Sequence, residues 1–296
     1  MKILVAGATG YLGHFVVREL GRRGHEVRAL ARKPEKLALV REWVSEVFEG
    51  EATDPTTLAG LCEGCDAVFS SLGIRAFSGT ITYEHVDYGA NMNVLERAVE
   101  AGVGRFGFVS VLHGEAHREV PQVDARERVV DALKASPLPW TVIRPTGFFN
   151  DMAEFFEMAR KGGVWIVGDG ENRINPVAGG DLAAYVADKL VDPAAALCEF
   201  AVGGPEILTM RQIAQIALEA AGSKGTVHSL PPWVLGALGV MSAPFSPNFS
   251  NMMKFFGALS ESDGVGEQTG ALTLRTFYDH LAAGGTPDDL DIGVRA

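Results

Sequence analysis

Residues Gly7-Ala8-Thr9-Gly10-Tyr11-Leu12-Gly13 follow directly on the β-rich run Lys2-Ile3-Leu4-Val5-Ala6 and open a stretch whose Leu12, Val16 and Leu20 fall on one helical face. Strand, glycine-rich turn and helix in that order make a phosphate cradle. Side chains at the glycines would obstruct the tight turn, the close approach of a pyrophosphate and the contact between helix and strand. The helix start adds backbone N–H groups without an intrahelical acceptor and the positive end of its dipole. This order predicts dinucleotide binding, with Gly7, Thr9, Gly10, Tyr11, Leu12 and Gly13 around the phosphates.

Working outward, short β-rich runs at 3–6, 27–31, 44–48, 67–71, 106–110 and 140–144 alternate with helical patterns at 12–22, 55–62, 83–101 and 120–136. Strict alternation of this kind reads as repeated βαβ units, hence a doubly wound parallel sheet covered on both faces. Local punctuation agrees: Asp54-Pro55 supplies an N-cap and a first-turn proline, and Gly102 or Gly104 can end the helix before Phe106. After Arg144 the alternation loosens into a helix at 151–161, one opening at Asp181, a strand at 199–202 and a helix at 209–221, where Thr209 and Gln212 have capping-box spacing.

Cofactor choice is expected at the end of the second strand, where an acidic residue would accept from the ribose 2′-hydroxyl of NAD. This chain offers Arg32 and Lys33 instead. Two cations favour a 2′-phosphate, which arginine can hold with two N–H groups at once, so the sequence predicts NADP(H) over NAD(H).

Composition limits the alternatives. With 47% apolar and 21% charged residues in 296, the chain can bury a large core, and at roughly 100–200 residues per domain it makes one large or two intimate domains. A net charge of −11 argues against nucleic acid or anionic lipid as partner. Cys62, Cys65 and Cys198 are too few for a disulfide framework and fit a cytoplasmic protein. Cys62-Glu63-Gly64-Cys65 has the CxxC spacing but lacks a second Cys/His pair to complete a zinc site, so no metal is expected. The strand pattern starting at Lys2 leaves no room for a signal peptide. The uncharged stretch 225–253 is interrupted by Pro231, Pro232, Pro244 and Pro247 and is too broken to span a membrane.

The sequence resembles the atypical short-chain dehydrogenase/reductases, in their NmrA-like and divinyl-reductase-like branch, over nearly its whole length. The strings that carry the likeness are Gly7–Gly13 above, Val27-Arg-Ala-Leu-Ala-Arg-Lys33, Ser70-Ser-Leu-Gly73, Val86-Asp-Tyr-Gly-Ala-Asn91, Phe108-Val-Ser110, Arg144-Pro-Thr-Gly-Phe-Phe149 and Asn175-Pro176. The resemblance implies an extended Rossmann fold with a smaller C-terminal lobe. The core would take 1–148, with 181–202 returning to it, and the lobe 149–180 and 203–296. It places Glu51 and Ala52 near the adenine, Ser70, Ser71, Leu72 and Gly73 under the ribose, and Ser110 beside the nicotinamide. Pro145, Thr146, Gly147 and Phe148 would bind the cofactor, bordering the nicotinamide and the substrate cavity.

One departure bears on catalysis. Ordinary short-chain dehydrogenases use Tyr-x-x-x-Lys for proton transfer, but no tyrosine lies between Tyr88 and Tyr185. Where the divinyl-reductase-like branch carries Ala-Lys-Glu, this chain reads Ala125-Arg126-Glu127. Arg126 shares a stripe with Val123, Val130 and Leu133 and so points inward, either to hold the ribose or as a structural cation paired with a carboxylate. A guanidinium is a poor proton relay. Tyr88 and His113 remain as catalytic candidates beside Arg126; His113 follows the strand end at Ser110, the side of the sheet where ligands bind. Asn91 falls on an apolar face and must be hydrogen-bonded. Asp169 and Asp181 sit in glycine-flanked turns, with Asp181 expected to cap the helix after it.

The apolar segment 233–256, poor in charge and carrying Met241, Met252 and Met253, is expected to be buried or to line a pocket for an apolar small-molecule substrate. These expectations describe an NADP(H)-dependent oxidoreductase acting on a carbonyl or conjugated C=C. The alternative implied by the resemblance is a non-catalytic NADP(H)-sensing or assembly protein, as some NmrA-like members are.

Overall fold

The computed structural model describes residues 1–74, 82–242, 250–251, 253–255, 257 and 262–289. In chain order its strands are β1 Lys2–Ala6, β2 Glu26–Ala31, β3 Glu46–Glu49, β4 Ala67–Ser70, β5 Arg105–Val109, β6 Trp140–Pro145, β7 Gly163–Val167, β8 Arg173–Ile174, β9 Cys198–Gly203, β10 Leu208–Thr209, β11 Thr226–Leu230 and β12 Glu267–Gln268. The α-helices described are α1 Tyr11–Arg22, α2 Asn91–Ala101, α3 Pro121–Ala135, α4 Phe149–Arg160, α5 Gly179–Val191, α6 Met210–Ala220, α7 Pro232–Ser242 and α8 Leu274–Ala282. The chain divides into two compact units, Met1–Arg144 with Ala183–Phe200, and Pro145–Leu182 with Ala201 onward.

In the first unit the strands lie in the order β3-β2-β1-β4-β5-β6-β9, and the neighbours from β3 to β6 pair in parallel. Strands covered on both faces must be apolar almost throughout, and β4 and β5 are buried at every position. Leu4, Val68, Phe106 and Phe108 from the sheet pack with Val94 of α2 and Val129 and Leu133 of α3. Gly102, at φ +63, ends α2 in the left-handed conformation that glycine adopts without strain. In the second unit the last residues of β9, Val202 and Gly203, pair in parallel with β12, so the mostly parallel sheet runs to eight strands. The fold is thus the α/β doubly wound type that the sequence predicts.

The core of the second unit gathers Phe149 and Phe156 of α4, Ile213 and Ala217 of α6, and Phe277 and Tyr278 of α8. Phe149 lies 5.3 Å from Phe277, and Phe156 lies 5.8 Å from Tyr278. The Tyr278 hydroxyl donates to Met152 O at 2.9 Å, satisfying its one buried polar atom. The capping box forms: Thr209 Oγ1 accepts from Gln212 N at 3.1 Å, and Gln212 Oε1 accepts from Thr209 N at 2.8 Å. Thr209→Ala is therefore expected to cost about 1 kcal/mol of stability, read by chemical denaturation.

Three expectations are corrected. No α-helix forms over 55–62; Pro55–Thr57 makes one 3-10 turn capped by Asp54, and Thr57 Oγ1 turns back to donate to Asp54 O at 2.8 Å. Gly60, at φ +76, then diverts the chain. Asp181 does not cap α5 but lies inside it; its carboxylate accepts from Ala271 N and Leu272 N, fixing the approach to α8. The apolar segment from Trp233 is not buried over its helical part: Trp233, Val240 and Met241 of α7 are 71%, 73% and 72% exposed, and only Leu235 and Gly239 are buried. Low charge creates a preference for burial but does not supply a neighbour to bury against. Met252, Pro244 and Pro247 lie outside the described residues. Among the described residues no helix is long and apolar enough to cross a membrane.

Candidate functional site

The glycine-rich turn occupies the carboxyl end of β1, at the edge where open parallel sheets bind ligands. Gly7 has φ +89, and a Cβ there would lie 2.8 Å from Ser71 Oγ. A Cβ on Gly13 would run into Gly7 O, so helix and turn touch backbone to backbone. Gly10 differs. Its φ is an ordinary −92 and no side chain caps α1 there. A Cβ on Gly10 would meet only Gly7 O, at 3.3 Å, a tight contact that asks for a small backbone shift, so the chain itself constrains this position far less than Gly7 or Gly13. Space above Gly10 and the uncapped first turn of α1 fit a dinucleotide pyrophosphate. Thr9 and Tyr11 are half-buried and Leu12 is buried.

The next strand ends lie alongside. β2 leads into Arg32 and Lys33, both exposed. Arg32 Nη1 donates to Glu51 Oε2 at 3.2 Å, so the carboxylate expected near the adenine sits on the arginine expected to hold a 2′-phosphate. Ala52 is buried and its carbonyl accepts from Asn93 Nδ2 at 2.9 Å. At the end of β4, Ser70 Oγ donates to Asn91 Oδ1 at 2.6 Å, and Asn91 Nδ2 donates to Asp87 O at 2.8 Å and Leu72 O at 3.3 Å. Asn91 thus ties the Ser70–Gly73 stretch to α2, meeting the requirement that it be hydrogen-bonded. Ser71 N is held by Ala6 O at 3.0 Å.

Arg126 does point inward. Its Nη2 lies 2.9 Å from Asp87 Oδ1, and Nη1 donates to Val109 O at 2.8 Å. A Cβ on Gly73 would run into Arg126 Nη2, so this glycine makes room for the cation. Asp87 is wholly buried and accepts from Ile74 N at 3.1 Å. Burial pushes its carboxyl above the usual aspartate value, more than Arg126 and the Ile74 amide pull it down. Tyr83 is buried close by; burial and the charge of Asp87 raise its phenol, so it keeps its proton.

One strand further along, Ser110 is buried with Oγ donating to Glu127 Oε1 at 2.6 Å. Arg144 brackets the same carboxylate with two N–H groups, at 2.6 and 2.9 Å. The remaining catalytic candidates, Tyr88 and His113, are members of neither ion pair. Tyr88 is half-buried under Arg128, whose guanidinium carbon is 3.8 Å from the ring centroid. His113 is exposed at φ +54, ahead of a 3-10 turn. Cys62 and Cys65 are buried in the turn before β4; burial pushes the Cys62 thiol up to about 12, which makes it an inert thiol.

Sequence reasoning gave Asp87 and Glu127 no role. The signal was present for Glu127, which lies four residues after Val123 and three before Val130, on the stripe that places Arg126 inward.

Within the second unit, Thr146 Oγ1 donates to Asn175 O at 2.6 Å and Thr146 N donates to Val202 O at 3.0 Å. Gly147 O accepts from Val177 N at 2.9 Å, and Phe148 bridges to Val177. Asn175 is wholly buried, with Nδ2 donating to Gly204 O and Gly266 O and Oδ1 accepting from Gly266 N. The Pro145–Phe148 string and Asn175-Pro176 are therefore one locally bonded arrangement.

A family model described as NAD(P)H-binding matches residues 7–193. The chain is similar to the photosystem II assembly factor Ycf39 of Guillardia theta, 27% identical over 269 residues, or 90% of this chain and 85% of that protein. It is also similar to the chloroplastic divinyl chlorophyllide a 8-vinyl-reductase of Oryza sativa subsp. indica, 26% identical, with 94% and 78% of the two chains covered. Among solved structures, the NADPH-dependent quinone oxidoreductase QOR2 of Escherichia coli, complexed with NADPH, superposes with a TM-score of 0.74 at 20% identity over 94% of this chain and 99% of that one. At that identity the likeness speaks for the fold.

Proposed function

The chain belongs to the NAD(P)H-binding family, and from that premise we propose that it is an oxidoreductase using NADP(H) in preference to NAD(H). The proposed reaction is reduction of a carbonyl or conjugated C=C of an apolar small molecule. The observation that carries the reading is the cradle around Gly10, shaped by Gly7 and Gly13 and open where a pyrophosphate would sit. The first turn of α1 would hold the phosphates, Arg32 and Lys33 the 2′-phosphate, and Ser70–Gly73 and Ser110 the nicotinamide half. The bound nicotinamide would supply the hydride; the protein's part is to bind, orient and exclude water. Similarity to a protein named as a divinyl chlorophyllide a 8-vinyl-reductase supports a C=C acceptor on an apolar molecule.

A second reading is an NADP(H)-sensing or assembly protein. It draws on a specific observation: Arg126, where the family resemblance implies a lysine, is engaged by Asp87 and cannot relay protons. The similarity to an assembly factor favours it too. NADPH oxidation measured with a naphthoquinone and with an enone decides between them. Turnover supports the reductase; tight NADPH binding without turnover on either supports the sensor.

Cofactor preference gives its own test. NADPH is expected to bind at least about tenfold more tightly than NADH, and Arg32→Ala to erase the difference, because a charge-assisted bond to phosphate contributes roughly 1.5–3 kcal/mol. Glu51→Gln is expected to widen it by freeing Arg32 from its carboxylate. Equal affinities for the two cofactors in the parent protein would overturn the assignment.

A further inference from the structure

Ser110 follows directly on β5, in an environment that fixes the direction of its hydroxyl. A serine has one proton to give and two lone pairs to receive with. Here the proton goes to Glu127 Oε1 at 2.6 Å. Glu127 is wholly buried, and its carboxylate also takes both terminal nitrogens of Arg144. Arg144 in turn donates Nε to Glu199 Oε2 at 2.6 Å and Nη1 to Val111 O at 2.7 Å. Burial works against the charge on Arg144, but its bonds to Glu127 and Glu199 outweigh that and hold the guanidinium above its ordinary value. A carboxylate clamped in this way accepts and does not donate. The turn after β5 is built around it: a Cβ on Gly114 would run into Glu127 Oε1.

We infer that Glu127 is a positioning residue that makes Ser110 an obligatory hydrogen-bond acceptor at the cofactor site. Ser110 Oγ then takes an N–H or O–H from the nicotinamide riboside, and it is barred from protonating a substrate. The arrangement is not a proton wire, because the guanidinium of Arg144, which joins Glu127 to Glu199, keeps its protons. This inference rests on the NAD(P)H reading of the site.

The test uses the full chain with Ser110→Ala, Glu127→Gln and the double variant. Each is titrated with NADPH and with adenosine 2′,5′-bisphosphate, which carries only the adenosine half, and each is melted without ligand. In Glu127→Gln the amide can donate to Ser110 Oγ and turn the hydroxyl proton outward. Each single variant is expected to bind NADPH about tenfold more weakly and the bisphosphate as the parent does, and the double variant to be no weaker than the singles. A lowered melting temperature in Glu127→Gln with unchanged NADPH affinity would overturn the inference, leaving Glu127 a partner for Arg144 alone. Unchanged affinity in Ser110→Ala would overturn it even if Glu127→Gln does not fold, as would equal weakening of both ligands. A parent protein that binds neither ligand would sink the NAD(P)H reading itself, a result distinct from these.

Discussion

Gly10→Val is expected to leave the protein folded and to abolish measurable NADPH binding, a loss of at least about a hundredfold. The backbone at Gly10 has an ordinary negative φ, and a Cβ there meets only Gly7 O, at 3.3 Å, which a shift of a few tenths of an ångström relieves. The valine methyls would then stand over the first turn of α1, where a pyrophosphate must approach the backbone closely. Gly13→Val is the contrast, since its side chain would be driven into Gly7 O and the helix could not seat on the turn. Circular dichroism and cofactor titration read the two together. A folded Gly10→Val protein that binds NADPH as the parent does would show that the motif is only a turn.

Arg126→Ala is expected to destabilise the protein by about 3–5 kcal/mol near pH 8, because Asp87 is left buried without its counter-charge. The sign of the pH dependence follows from the raised carboxyl of Asp87. A group held above its unfolded value contributes stability that is present at low pH and lost as pH rises through the folded value. Removing Arg126 lifts Asp87 further, so the deficit relative to the parent protein should be smaller at pH 5 than at pH 8. Urea unfolding at the two pH values measures this, and a deficit independent of pH would show that Asp87 is not its source. Repeating the melts with saturating NADPH separates the two roles of Arg126. If the cation also holds the ribose, the cofactor will stabilise the parent more than the variant, and Arg126→Lys will restore part of the difference.

The doubly wound core was legible because its central strands, such as β1 and β4, are apolar runs bounded by turn residues and main helices such as α1 have a one-sided stripe. The cradle was legible because three glycines in one turn have few other uses, although the sequence could not say that Gly7 and Gly13 serve the chain's own contacts while Gly10 leaves space. The buried ionic pairs were not legible as pairs. Arg126 and Glu127 are adjacent in α3, yet one turns to Asp87 and the other to Arg144, on partners distant in sequence. Periodicity identifies an inward face but not the partner across it. The exposed α7 misled for the opposite reason: apolarity was read as burial, and the burial of a helix is set by its neighbours.

Neither unit is one continuous piece of chain, and that has a consequence during synthesis. Strand β9, which flanks β6 in the sheet, begins at Cys198, more than fifty residues after β6 starts at Trp140. While those residues are still leaving the ribosome, β6 is a bare edge with unpaired N–H and C=O groups. A nascent chain stalled or cleaved between the two strands would present that edge to its neighbours, so truncation there is expected to produce aggregates and not a smaller folded domain.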